Sequence, residues 1–153
     1  MIKIFTGLFI IIILFFLSIE DVKTMTVPVK GIIMIFISGA VLCISGSEPV
    51  VFHIKGWLLL SFTAFLTALV SGGLGGGDVR LFSALGFALG VSEGIRIFML
   101  SFLLSGLFVL MIKLLPARIR IINRVKIKKE MPFVPFIAVS AFLIFTENLL
   151  YCL

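Results

Sequence analysis

Residues 56–77 read GWLLLSFTAFLTALVSGGLGGG, a stretch of 22 residues without an ionisable side chain. A helix needs about 20 apolar residues to cross the hydrocarbon core of a bilayer, so this stretch predicts a membrane-spanning helix. It ends in a run of glycines directly before Asp78, where a permissive backbone meets an acidic side chain. The segment therefore predicts a membrane fold and, at the edge of the membrane, a polar site.

The rest of the chain is similarly apolar. Of its 153 residues, 61% are hydrophobic and 13% charged, whereas soluble domains average about 45–50% and 25%. Mean hydropathy is +1.35. Five further uncharged stretches accompany the first: 4–19, 31–47, 81–92, 97–112 and 131–146. The sequence predicts an all-α integral membrane protein, a polytopic bundle of about six transmembrane helices that forms a single membrane-embedded domain over residues 1–153.

Two segments refine this prediction. The stretch 81–92 has only 12 residues, which rise about 18 Å as a helix, so its helix must begin near Asp78 or stop partway across the membrane. The longest polar connection, 113–130, has 18 residues, too few for a separate soluble domain of roughly 50 residues or more. A soluble enzyme and a large receptor domain are thereby excluded.

The basic residues predict the orientation. With the N-terminus outside, six spans place ten basic residues on the cytoplasmic side: Lys23, Lys30, Arg80, Lys113, Arg118, Arg120, Arg124, Lys126, Lys128 and Lys129. Only Lys3, Lys55 and Arg96 then lie outside, which agrees with the positive-inside rule. We expect a multi-pass protein of the cell inner (plasma) membrane with both termini outside. The net charge of +6 then indicates topology and contact with anionic lipid, and no nucleic-acid partner is expected.

Cysteine and histidine give little sign of a metal site. Cys43 and Cys152 lie in or at the end of apolar segments and form no CxxC pair, which excludes a zinc site built on thiolates. His53 falls in the predicted outer loop without a second His or Cys nearby, and no cofactor or metal is expected. Glu93 and Glu147 are expected to be solvated at the outer interface.

The first stretch has a second interpretation. Residues 1–19 could serve as a cleaved secretory signal. The sequence near its end, Leu17-Ser18-Ile19-Glu20, has no small-x-small cleavage pattern. We therefore interpret residues 4–19 as the first span.

Asp21 and Asp78 are the only aspartates, and each lies at the predicted cytoplasmic edge of an apolar helix. Carboxylates at that depth are costly and therefore indicate function. Two carboxyl groups within a few ångströms share one proton and so supply an acid and a base together. The alternative is that each caps a helix or marks the water boundary. This alternative is weaker for Asp78, because glycines such as those at 72–77 let backbones approach closely or line a site.

Three motifs resemble those of the type IV prepilin peptidase family, which are membrane aspartyl proteases of the GxGD type. Residues 75–81, GGGDVRL, followed by SALG at 83–86, are similar to the family's GxGDxKL…A…G segment. Residues 21–28, DVKTMTVP, resemble its first motif, and 132–136, PFVPF, resemble its P-F-x-P-F element. The resemblance extends over essentially the whole chain, with the motifs in the family's order.

The resemblance implies a membrane aspartyl endopeptidase with Asp21 and Asp78 as catalytic residues. The supporting residues that it implies are Gly75, Gly77, Lys23, Arg80, Pro28, Pro132 and Pro135. We expect Lys23 and Arg80 to favour the ionised form of one carboxyl or to contact lipid and substrate. The implied substrates are prepilin-like membrane proteins (pilin, pseudopilin, Flp or preflagellin precursors), whose basic leader is removed at the cytoplasmic face. A homo-oligomer is compatible with the sequence.

The chain departs from the family pattern in a few places. Arg80 replaces the usual lysine, Val29 stands where Asn or Asp is frequent, and Val134 stands where a small residue is common. The cysteine-bearing cytoplasmic domain that larger members use for N-methylation is missing, so the chain resembles the short, peptidase-only form, and we expect cleavage without methylation.

Two other functions compete. Presenilin-like GxGD proteases are longer, and their PAL triplet is missing here. A non-enzymatic transport or assembly subunit would use Asp21 and Asp78 for protons or cations. Such a path is expected to place further ionisable residues deeper in the bilayer, and the sequence has no such relay.

Overall fold

The computed structural model describes residues 2–45, 49–114 and 132–151. These residues form five helices, which are α1 (Ile2–Thr24), α2 (Val29–Ile44), α3 (Val50–Ser71), α4 (Gly76–Leu114) and α5 (Val134–Tyr151). Helices α1, α3 and α4 are long and apolar enough to cross a membrane, while α2 and α5 are shorter apolar helices. The predicted polytopic helical membrane fold is confirmed. The basic cluster at 118–129 and Cys152 lie outside the described residues.

Helix α4 is folded back on itself at Gly90. The φ of Gly90 is 78° and its ψ −171°, a conformation that glycine adopts without steric cost. Phe82 and Phe98 would lie about 24 Å apart along a straight helix, yet their ring centroids are 4.9 Å apart. The two arms, 76–89 and 91–114, are therefore antiparallel, and with them the described residues form six helical segments. The first arm begins at Gly76, so the helix that contains the short fourth stretch begins near Asp78, which is one of the two predicted alternatives.

Glycines bring α3 and α4 into close contact. A Cβ atom built on Gly56 would overlap the carbonyl oxygen of Gly86 and lie 2.7 Å from the Cα of Gly90. A Cβ on Gly94 would lie 2.8 Å from a methyl carbon of Leu60. Small residues at such positions allow the backbones of membrane helices to approach each other. Accordingly, α3 packs against α4 more extensively than any other two described helices pack together.

Each helix contributes apolar side chains to one core. Leu14, Ile35, Leu60, Phe82 and Ile137 are fully buried, one from each helix. Many large apolar side chains on the outward faces are exposed instead. Examples are Phe16, Phe62 and Val70. Helices that are apolar on all sides suit a lipid environment, in which outward-facing apolar side chains need no protein cover.

Polar contacts join the second arm of α4 to α5. The hydroxyls of Ser101 and Ser140 lie 2.9 Å apart, both fully buried. Near the last turns of α5, Arg96 donates to Glu147 over 3.0 Å, and the side-chain amide of Asn148 donates to Glu93 over 3.0 Å. Each glutamate thus accepts a hydrogen bond from a neighbouring helix, and the Glu147 side chain is also 42% exposed. That both are solvated stays a prediction.

The segments alternate in direction, so the bundle has two distinct ends. At one end, called here the aspartate end, α1 and α3 finish and α4 and α5 begin. At the other, called the distal end, the start of α1 meets the end of α5, since a Cβ on Gly7 would lie within 3 Å of the Phe145 ring. The start of α1 and the end of α5 thus lie at the same end, as the six-span prediction requires.

Candidate active site

Asp21 lies near the C-terminus of α1 and is 5% exposed. Its Oδ2 accepts a hydrogen bond from the backbone N–H of Val134 over 3.2 Å. This donor belongs to the start of α5. The first N–H groups of a helix have no partner within it and attract anions, so this helix start holds the Asp21 carboxylate.

The two prolines of the 132–136 motif explain why α5 begins where it does. Pro135 lies in the first turn, where its missing N–H leaves no helical bond unmade. Pro132 precedes the helix outside its hydrogen-bond ladder. Val134, whose N–H binds Asp21, lies between the two predicted prolines in the sequence. Sequence reasoning missed this donor because every non-proline residue carries such an amide.

Aromatic packing fixes this helix start. The ring of Phe133 lies 5.1 Å from that of Phe102 and 6.1 Å from that of Phe82. Phe82 is fully buried and packs in turn against Phe98. Aromatic rings at these separations and tilted orientations attract each other beyond their area of burial. Both arms of α4 therefore position the helix start whose Val134 amide binds Asp21.

Asp78 lies in the first turn of α4 and is 9% exposed. Its Oδ2 accepts a hydrogen bond from the N–H of Gly75 over 3.2 Å, and the carbonyl of Gly75 accepts in return from the N–H of Asp78 over 3.1 Å. The turn that leads to it starts at Gly72, which ends α3 with a φ of 59°. The glycine run thus shapes a tight turn that holds the carboxyl.

The connection between α1 and α2 brings the two aspartates together. A Cβ on Gly77 would lie 3.0 Å from a methyl carbon of Val27, so the start of α4 rests directly on this connection. Pro28 keeps the preceding residue extended and stands immediately before α2. At this junction the carboxyls of Asp21 and Asp78 are close enough to interact electrostatically.

The two predicted basic residues lie at the edge of the site. Lys23 and Arg80 are exposed, and each follows its aspartate by two residues, which is about 200° around a helix. They therefore point away from the carboxyls, and of their two predicted roles this placement favours contact with lipid or substrate. Gly75 and Gly77 occupy the roles in the turn and at the junction that were just described.

The described residues offer few other groups for acid–base or metal chemistry near this site. Over residues 2–45, 49–114 and 132–151, Asp21 and Asp78 are the only buried acidic residues. No group of three or more His, Cys, Asp or Glu side chains comes together there in a way that could hold a metal ion. The arrangement joins two carboxyl groups, one backbone donor to each of them and low exposure, which together can activate one water molecule.

Comparison with known proteins gives two matches. The model of the type IV leader peptidase family matches residues 8–110, which include Asp21 and Asp78. The prepilin leader peptidase/N-methyltransferase of Bacillus subtilis (strain 168) is 34% identical over 82 residues, which are 54% of this chain and 30% of that protein. No solved structure matches. Since the family model extends over more than half of the sequence, the chain belongs to the type IV leader peptidase family.

Proposed function

We propose that this chain is an aspartic-type membrane endopeptidase that removes the leader from prepilin-like precursors, with Asp21 and Asp78 as its catalytic pair. One observation carries the proposal. The only two aspartates of the sequence come from different helices, are both buried, and interact electrostatically, with a backbone N–H bound to each carboxyl. Membership of a peptidase family supports the same reaction class.

The two carboxyls supply an acid and a base together. One backbone N–H donates to each of them over 3.2 Å, that of Val134 to Asp21 and that of Gly75 to Asp78. The ionised aspartate of the pair is the general base that takes a proton from water as the water oxygen attacks the scissile carbonyl carbon. The other aspartate is protonated and donates to the carbonyl oxygen. The first then passes its proton to the leaving amine as the C–N bond breaks, and the second recovers a proton from the product acid.

The charge distribution supports a cytoplasmic position for this site. Lys23, Lys30, Arg80 and Lys113 belong to the helix ends around the aspartates, and the sequence adds six basic residues between the end of α4 and the start of α5. The distal end has Lys3, Lys55 and Arg96. The positive-inside rule therefore orients the aspartate end toward the cytoplasm.

Reporter fusions test this orientation. We expect a reporter placed after Leu153 to give an extracytoplasmic signal and one inserted after Lys126 to give a cytoplasmic signal, because the chain crosses the membrane once more between these points. A matched pair of reporters, one active only in the cytoplasm and one only outside it, is measured at each position. A cytoplasmic signal at the C-terminus contradicts the six-span orientation.

The activity is tested by co-expression with a prepilin-like precursor, in which a basic leader ending in glycine joins an apolar helix. We expect a shortened product whose N-terminal sequence begins at the junction between leader and helix. A precursor with a bulky residue in place of that glycine serves as the control and is expected to remain uncut. Cleavage elsewhere, or no cleavage by well-folded protein, contradicts the proposed substrate.

The amide of Val134 gives a further prediction. Val134→Pro removes the N–H that binds Asp21 while keeping a residue that helix starts tolerate. A hydrogen bond to a charged group contributes about 1.5–3 kcal/mol, so we expect cleavage to slow by roughly tenfold to a hundredfold. Val134→Ala keeps the amide and is the matched control, with a smaller loss. Initial cleavage rates measure both, and equal rates for the two variants would show that the amide has no role.

A further inference from the structure

The turn that ends α1 closes directly on Asp21. Helix α1 stops at Thr24, and the backbone N–H of the next residue, Met25, donates to the carbonyl oxygen of Asp21 over 2.8 Å. Met25 has a φ of 55°, which is a left-handed conformation. Many helices end with one left-handed residue whose N–H bonds back to the fourth residue before it, and that residue is usually glycine. In this chain it is a methionine.

Methionine at this position costs free energy that glycine would not. In the left-handed conformation the Cβ atom comes too close to the following carbonyl oxygen. Over the residues that the structure describes, Met25 is the only one other than glycine with a positive φ. Strain of this kind persists only where the surrounding structure imposes it, and it is concentrated at functional sites. The conformation of Met25 therefore requires an explanation in terms of its neighbours.

Two threonine hydroxyls hold the chain on either side of Met25. The hydroxyl of Thr24 donates to the carbonyl oxygen of Glu20 over 2.9 Å and lies 2.9 Å from the hydroxyl of Thr26. Since a hydroxyl has one proton, Thr26 is then the donor to Thr24. These bonds join the residue before Met25 to the residue after it, and none of them uses the Met25 side chain. The turn is thus imposed from both sides.

The direction in which the chain leaves this turn sets the place of Asp78 relative to Asp21. Val27, two residues after Met25, lies against the start of α4. A Cβ atom built on Gly77 would lie 3.0 Å from a methyl carbon of Val27 and 3.1 Å from its Cβ. Gly77 immediately precedes Asp78 in the sequence. A change in the backbone conformation of Met25 would therefore move one aspartate relative to the other.

We propose that Met25 is a positioning residue for leader cleavage, and that its left-handed backbone, not its side chain, holds Asp21 where it meets Asp78. This inference rests on the proposed function, which assigns the two aspartates to the reaction. A residue that readily takes the left-handed conformation then supports the reaction whatever its side chain is. Glycine takes it without steric cost, whereas a residue branched at Cβ, such as isoleucine, is a genuine outlier there.

Met25→Ile and Met25→Gly separate this role from a contact made by the side chain. Isoleucine keeps an apolar side chain but disfavours the turn, while glycine removes the side chain and keeps the turn. We expect Met25→Ile to lower kcat by about fivefold or more with KM little changed, and Met25→Gly to keep both constants. A side chain that packs or binds substrate predicts the opposite order. Initial rates of precursor cleavage over a range of precursor concentrations measure both variants.

Met99→Ile is the matched control. Met99 is an exposed methionine within the second arm of α4, so the same substitution there is expected to leave kcat unchanged. The thermal unfolding midpoint in detergent gives a readout that does not depend on cleavage. We expect a higher midpoint for Met25→Gly than for Met25→Ile, because glycine carries no left-handed strain.

The outcomes distinguish this inference from the proposed function. If the unmodified protein cleaves the precursor and folded Met25→Ile has the same kcat, the positioning role is overturned and the proposed function stands. If Met25→Ile does not fold, Met25→Gly still decides, because a lower kcat or a higher KM in that variant overturns the inference. A lower midpoint for Met25→Gly than for Met25→Ile does so as well. No cleavage by the folded unmodified protein contradicts the proposed function itself, and this inference with it.

Discussion

Asp21→Asn and Asp78→Asn are each expected to abolish leader cleavage. Asparagine keeps the size of the side chain and an oxygen that accepts from the amides of Val134 or Gly75, so the fold is expected to persist. It cannot take up or release a proton as the mechanism requires. General acid–base catalysis contributes about 10²–10⁴-fold, and neither role survives loss of the other, so the product should fall below detection in a gel-shift assay.

Glu20→Gln is the matched control for this experiment. Glu20 adjoins Asp21 in the sequence and carries the same functional group, but it is exposed on the surface of α1. Adjacent residues on a helix do not face the same way, and we expect this variant to retain substantial activity. Normal processing by either Asn variant, at matched expression, would contradict the aspartyl mechanism and favour the transport alternative.

The proposed catalytic pair stands out in the sequence because its residue type is so rare. A chain with only two aspartates, each at the end of an apolar stretch, restricts the candidates to a single pair. The backbone partners of this pair are not predictable in the same way. Val134 departs from the family pattern, yet its N–H binds Asp21. Every non-proline residue carries a backbone amide, so the sequence does not show which amide binds Asp21. The position of the helix start in the structure does.

The helices themselves follow from the uncharged stretches, whereas their ends and turns do not. Met25 takes a left-handed conformation with a φ of 55° just after Asp21, and methionine gives no sign of such a turn. Pro49 precedes α3, which begins at Val50 and places His53 inside the helix. The burial of His53 then depends on Phe87, which is distant in the chain.

Glycine is the most ambiguous signal in this sequence. Gly90 forms the reversal within α4, whereas Gly94, four residues later, packs against Leu60 within the second arm. A turn glycine and a packing glycine are the same residue. Only the position of the neighbouring helix distinguishes the two roles, and that position depends on the whole fold.

This distinction leads to the second large expected effect, at the contact between α3 and α4. Gly56→Ala or Gly86→Ala is expected to destabilise the protein strongly, because each added methyl group overlaps a backbone carbonyl of the facing helix. A side chain can rotate away from such an overlap, whereas two helix backbones must move apart. Overpacking of a core usually costs about 1–3 kcal/mol, and we expect values at or above the upper end of this range.

Gly106→Ala separates the effect of the contact from that of helix propensity. Alanine favours a helix over glycine by up to about 1 kcal/mol, so all three substitutions gain the same propensity term. Gly106 is exposed, and a Cβ built there meets nothing within 4 Å. The thermal unfolding midpoint in detergent should therefore stay unchanged or rise for Gly106→Ala and fall clearly for the other two. A midpoint for Gly56→Ala as high as that of Gly106→Ala would mean that α3 and α4 do not touch through their backbones, and the α4 hairpin that carries Asp78 would then have to be held in place by other contacts.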